Sequence, residues 1–145
     1  MVGTDAPPVD LAATPLRAVG QQVVVPGSHR FAKRRALRAA DLSGEPIVVA
    51  PAGSPHRMML QQLMRASGGD LNVAVEATGW ELMLQFARCG IALAVVNDFC
   101  PVPKGMVGVP LEGAPKVIYY LIVRKGLTNK GIEAMAELIA QTMRE

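Results

Sequence analysis

Hydrophobic positions change their period between residues 80 and 97. Trp80, Leu82, Met83, Leu84, Phe86 and Ala87 recur at spacings of three and four, which predicts a helix with one apolar face. Gly90 stands where such a helix would stop, because glycine enters the left-handed backbone region without a steric penalty. The unbroken apolar run from Ile91 to Val96 then reads as a strand buried on both faces, and Asn97-Asp98 ends it. A helix, a glycine, a buried strand and a polar exit make an α/β crossover.

The same alternation extends on both sides. Gln21 to Val25 is a β-branched run closed by Pro26-Gly27, and Pro46 opens a second buried strand, Ile47 to Ala50. Ser54 suits an N-cap and Pro55 the first helical position, so a helix is expected from Pro55 to about Arg65. Ser67-Gly68-Gly69-Asp70 ends it, Leu71 to Val75 reads as a third strand, and Thr78 is the expected cap of the helix that follows. Strands are also expected over Met106–Leu111 and Lys116–Val123. Beyond Leu127-Thr128-Asn129 comes an amphipathic helix carrying Ile132, Met135, Leu138, Ile139 and Met143. Residues 1 to 20 show no sustained period and read as an arm that packs against something else. Strands alternating with helices through the middle of the chain argue for an α/β fold, a mostly parallel sheet flanked by helices.

Composition narrows the function. The chain has 145 residues, half of them apolar and 19% charged, which is enough to bury a core and too apolar for a disordered segment. No apolar run approaches the ~20 residues of a membrane helix, and the first residues lack the layout of a secretory signal. A cytoplasmic protein is the expectation. Cys89 and Cys100 sit apart with no CxxC and no neighbouring histidine, so neither zinc nor a disulfide framework is expected, and Cys89 reads as buried. The net charge of +3 is too slight to imply nucleic acid, and the Lys33-Arg34-Arg35 cluster with Arg38 reads as a solvated face. There is no nucleophile elbow, HExxH, Walker loop or dinucleotide fingerprint, so no enzyme and no cofactor are expected.

Three segments together carry a family resemblance. Val25-Pro26-Gly27-Ser28-His29-Arg30-Phe31-Ala32, Asp41-Leu42-Ser43-Gly44-Glu45-Pro46-Ile47-Val48 and Phe86-Ala87-Arg88-Cys89-Gly90-Ile91-Ala92-Leu93-Ala94-Val95-Val96-Asn97 resemble, in order and spacing, patterns of the effector-binding domain of LysR-type transcriptional regulators. Ala92, Asn97 and Arg30 depart from that pattern, at a glycine and two prolines respectively. The resemblance implies a type 2 periplasmic-binding-protein-like lobe with two crossover strands and the last helix of an incomplete first lobe. Residues 1–22 would be an arm of that first lobe, 23–112 the second lobe, and 113–145 the return strand and C-terminal helix. It implies a small-molecule sensor without its helix-turn-helix, with no direct DNA contact from this chain and no membrane. The alternative is a free-standing solute-binding module.

The resemblance places the effector in a cleft between lobes. From the residues, the best-founded contact is Ala52-Gly53-Ser54-Pro55-His56, a helix start offering N–H groups, a hydroxyl and an imidazole to a carboxylate. Ser54 either donates to a ligand or only caps its helix, and His56 either joins it or is solvated. Thr78, Asn97 and Phe99 follow two further strands and would line the same rim, whereas Arg57, Arg65 and Arg88 are expected to point to solvent. Apolar residues such as Ile118, Tyr120, Ile132 and Leu138 would lie exposed without a complete first lobe, predicting a homo-oligomer or pairing with a full-length regulator.

Overall fold

The computed structural model describes residues 2–4, 11–126 and 129–142. In chain order the strands are β1 (Val2–Thr4), β2 (Leu11–Val19), β3 (Gln21–Pro26), β4 (Leu37–Arg38), β5 (Ile47–Val49), β6 (Val73–Glu76), β7 (Leu93–Asn97), β8 (Met106–Glu112) and β9 (Val117–Arg124). The helices are α1 (Pro55–Ala66), α2 (Trp80–Arg88) and α3 (Lys130–Thr142), with a 3-10 turn over Ala39–Leu42. The chain divides into one unit of Met1–Val19 with Lys116–Glu145 and another of Gly20–Pro115.

The Gly20–Pro115 unit is a six-stranded sheet in the order β4-β8-β3-β7-β5-β6. β5 runs parallel to β6 and β7, and β4 parallel to β8, while β3 is antiparallel to both its neighbours. The sheet is therefore mixed, and its α/β character is as expected. Its apolar runs are continuous because both faces are covered. Val23, Val25, Ile47, Val49, Leu93 and Val95 point to one side, where Leu60 and Met64 of α1 meet them. Val24, Val48, Ala94 and Val96 point to the other, where Met83, Leu84 and Ala87 of α2 pack. Each fully buried aliphatic side chain removes enough surface from water to contribute about 1.5–3 kcal/mol.

Gly90 ends α2 as its position suggested. It has φ 72°, its N–H donates to Ala87 O at 3.0 Å, and Ile91 N–H reaches back to Phe86 O at 3.2 Å. This pair of bonds satisfies carbonyls that the helix end would leave open. Gly68 ends α1 in the same way, with Gly69 N–H on Met64 O at 3.0 Å. Three local expectations shift. The strand after Gly90 starts at Leu93, and Ile91 is 50% exposed, because the cap uses Ile91 before the strand pairs. The third strand is Val73–Glu76 and not Leu71–Val75, since its pairing to β5 sets its limits. Cys89 is exposed, lying on the outward side of the helix end, whereas Cys100 is buried.

The other unit is an antiparallel sheet, β1-β9-β2. Within the stretch read as an arm that packs against something else, the described residues include β2, which pairs with β9 along nearly its whole length. The missing period has a physical cause, for Pro15 and a bulge between Pro15 and Arg17 break the alternation on an edge strand, where proline is tolerated. α3 has no buried residue, and Leu121, Val123, Ile132, Met135, Ala136 and Ile139 line an open apolar groove of about 330 Å³. Leu138 is 58% exposed, and Ile118, Tyr120 and Ile132 are half-buried. Met143, expected on this helix, lies outside the described residues.

Candidate functional site

The parallel set β5, β6 and β7 delivers three chain segments to one edge of the sheet, because parallel strands share the direction of their carboxyl ends. They are Ala50–Ser54 leading into α1, Ala77–Gly79 leading into α2, and Asn97–Phe99. In an open α/β sheet this is the edge where ligands bind. β5 stands between the other two strands, so the Ser54 segment neighbours both. Every expected site residue lies on one of these segments or on the first turn of α1.

On the first segment, Ala52 and Gly53 are exposed, and Gly53 has φ 81°. Ser54 Oγ accepts from Arg57 N–H at 3.3 Å, so Ser54 does cap its helix. A hydroxyl that accepts can still donate its own proton. Pro55 carries no N–H, which leaves the His56 N–H as the open amide of the first turn. His56 is not solvated: both ring nitrogens are buried without a partner among the described residues. Burial pushes its pKa below the ordinary 6.5, because a charged imidazolium there would lose its water shell. The folded value lies below the unfolded one, so stability is full above pH 6.5 and falls as pH drops through 6.5 toward the folded value. Urea midpoints taken across that range should decline more steeply for wild type than for His56→Gln. Parallel declines would contradict this account.

The second segment corrects two expectations. Thr78 is exposed and does not cap α2; the N-cap is Gly79, at φ 86° and ψ 140°. That backbone region belongs to glycine, so the turn needs Gly79 and places Thr78 one residue outside the helix. Arg57 does not point to solvent. Its side chain is only 15% exposed, and its Nη1 donates to Glu76 Oε2 at 2.8 Å and to Ala50 O at 3.4 Å. Nothing in the local sequence signals this, since Arg57 and Glu76 meet only when β5 and β6 pair.

On the third segment the polar groups are anchored to β3. Gln21 Nε2 donates to Asn97 Oδ1 at 2.7 Å. Gln22 Nε2 donates to the carbonyls of Asn97, at 3.3 Å, and Cys100, at 3.0 Å. Asp98 accepts from Gly20 N–H at 2.8 Å and returns its own N–H to Gly20 O at 3.0 Å. The rim at Asn97-Asp98 is thus preorganised, and Phe99 stands 39% exposed beside it. Gln21 and Gln22, both buried, were missed as rim supports; their signal was two amides opening an otherwise apolar run. Arg30, which takes the place of a proline in the resemblance, forks onto Glu45 Oε1 at 2.6 and 3.2 Å and covers the Phe31 ring at 4.4 Å.

The Lys33-Arg34-Arg35 cluster is exposed, with Arg34 facing Asp41 at 3.6 Å and Arg38 facing Glu112 at 3.6 Å. Cys100 has its thiol pushed up to about 11, chiefly by burial, so it stays a protonated, unreactive thiol at neutral pH. Among the described residues no cluster of three metal-ligating side chains occurs, and no helix is long and apolar enough to cross a membrane.

Comparison with known proteins agrees with this architecture. The LysR substrate binding domain family model matches residues 1–144. A RuBisCO operon transcriptional regulator of Allochromatium vinosum is 28% identical over 109 residues, spanning 72% of this chain and 36% of that protein. The chain therefore spans about a third of that relative's length. The Synechocystis PCC6803 CcmR regulatory domain in complex with 2-PG superposes with TM-score 0.79 at 17% identity, over 99% of this chain and 73% of that one. The BenM effector binding domain with its effector benzoate gives TM-score 0.76 at 20% identity, over 97% and 66%. A LysR family regulator of Pseudomonas aeruginosa gives TM-score 0.81 at 16% identity, over 99% and 52%.

Proposed function

The chain belongs to the LysR substrate-binding domain family, and from that premise we propose that it senses a small anionic metabolite at the carboxyl-end rim of its six-stranded sheet. The observation that carries this reading is the start of α1, where the His56 N–H and the Ser54 hydroxyl stand at the positive end of a twelve-residue helix. A carboxylate placed there accepts hydrogen bonds from both and is favoured by the helix dipole. Two structural relatives, at identities that speak for the fold alone, were solved with 2-PG and with benzoate. Ala52, Gly53, Pro55 and Thr78 would shape the pocket edge. Asn97, held by Gln21, and Phe99 would close its far side.

In this reading the protein acts in the cytoplasm as a regulator's sensing part and not as an enzyme. It touches no DNA itself, and a ligand shifts its state only by binding one conformation better than another. The exposed apolar groove along α3 and β9 favours self-association or pairing with a full-length regulator.

Trp80, the sole tryptophan, begins α2 next to this rim and offers an intrinsic fluorescence reporter. Titrating benzoate and 2-PG separately should give saturable binding. Ser54→Ala should weaken it about fivefold, or about 1 kcal/mol, the net worth of one typical hydrogen bond. If neither anion binds, or if Ser54→Ala binds equally well, the helix-start site is wrong.

A further inference from the structure

We infer that Arg57 is the positioning residue of this rim, holding two of its segments at a fixed separation without itself being needed as a ligand contact. The inference rests on the reading of the rim as a binding edge, and it adds the element that keeps the edge assembled.

β6 needs such an element. It is the last strand of the sheet, four residues long, bonded on one side only to β5, and largely exposed. Few apolar contacts hold it, so it belongs to the part of a fold that opens most readily. Yet Ala77–Gly79, which it delivers, forms the outer end of the rim, beside the Ser54 segment. Val49 and Glu76 are paired across the two strands, and Ala77 N–H closes the ladder on Val49 O at 2.9 Å. Just beyond that last bond, the Arg57 guanidinium reaches both strand ends, donating to the Ala50 carbonyl and the Glu76 carboxylate. Arg57 belongs to the first turn of α1, and its own N–H is bound by Ser54 Oγ. One residue therefore links the Ser54 cap, the end of β5 and the end of β6. Glu76 is half exposed, which weakens an ion pair by solvent screening. The Arg57 end is mostly buried, with Nε enclosed, so the guanidinium has little freedom to swing away. A ladder end tied on its buried side resists fraying more than its bond count alone would suggest.

The test is amide hydrogen exchange on the whole, ligand-free chain, read at Ser54 and Ala77, whose N–H groups are both bonded. The variants are Arg57→Ala, Glu76→Ala, the double variant and Arg57→Lys. Arg57→Ala should speed exchange at Ala77 about tenfold, the effect of removing a charge-assisted contact, with a smaller rise at Ser54. Exchange at Val24 and Val95 in the sheet centre should stay unchanged. Glu76→Ala should reproduce part of the Ala77 effect, and the double variant should add little to Arg57→Ala. Lysine, a strongly hydrated point charge on a flexible stem rather than a planar group packed in place, should restore less than half. Unchanged exchange at Ala77, or an increase of equal size at Val24 and Val95, would overturn the inference. A merely structural role would give the uniform increase.

Benzoate and 2-PG titrations of the same variants separate the two claims. Fast Ala77 exchange in Arg57→Ala with no anion binding to wild type sinks the site and leaves the positioning role. Wild-type binding with unchanged Ala77 exchange does the reverse.

Discussion

Gly108→Ala is expected to destabilise the Gly20–Pro115 unit by about 3 kcal/mol or more, the sum of an overpacked contact and a disturbed buried hydrogen-bond set. Gly108 lies in β8 opposite Val24 of β3. A methyl group there would fall on the Gln22 side-chain oxygen and would come to 3.0 Å from both Gln22 Cδ and Val102 Cγ2. Gln22 cannot yield cheaply: it is buried, and its Nε2 is the donor to the carbonyls of Asn97 and Cys100. Moving it leaves those acceptors dry. Urea unfolding followed by far-UV circular dichroism should show the loss as a lower midpoint. Gln22→Ala in the same chain should recover part of it, so that the double variant is less destabilised than the two single losses added together. A Gly108→Ala midpoint equal to wild type would falsify the packing account.

The second large effect divides one helix. Leu60→Ala should cost about 3 kcal/mol, as truncation of a fully enclosed leucine does, whereas Met58→Ala should change stability by less than about 0.5 kcal/mol. Both are apolar residues of α1, two positions apart. Leu60 is 0% exposed and joins Ile47, Val49 and Met64, while Met58 is 49% exposed. Their difference in urea midpoint measures how sharply the sheet face defines the core. Equal effects would mean that α1 is rotated from the orientation described.

How much was legible beforehand follows the range of the interactions. Gly90, Gly68, Ser54 and the apolar runs of β3, β5 and β7 act within a turn or a pleat of their own position, and their roles could be read from neighbours in the sequence. Thr78 failed because two adjacent residues could open α2, and the choice of Gly79 depends on a φ of 86° that only the folded turn imposes. β2 was hidden by Pro15, and its partner β9 lies about a hundred residues away in sequence. Arg57 was misplaced for the same reason: surface arginines on a helix and a strand-end glutamate look solvated until two strands pair. The segments named for the rim follow β5, β6 and β7 at their carboxyl ends. The amides of Gln21 and Gln22 that hold one of them were not anticipated, because polar side chains inside an apolar run find their acceptors only in three dimensions.

The antiparallel placement of β3 has a consequence for biosynthesis. β3 is among the first strands of its unit to leave the ribosome, and Val23, Val24 and Val25 end fully enclosed. Both neighbours arrive much later: Val23 waits for Val95 and then for Val109, so its first partner comes roughly seventy residues downstream. During elongation at about 5–20 residues per second, that valine run remains uncovered for several seconds. The nascent chain therefore carries an apolar segment without its sheet partners for that interval, and slower translation before Met106 would lengthen the exposure.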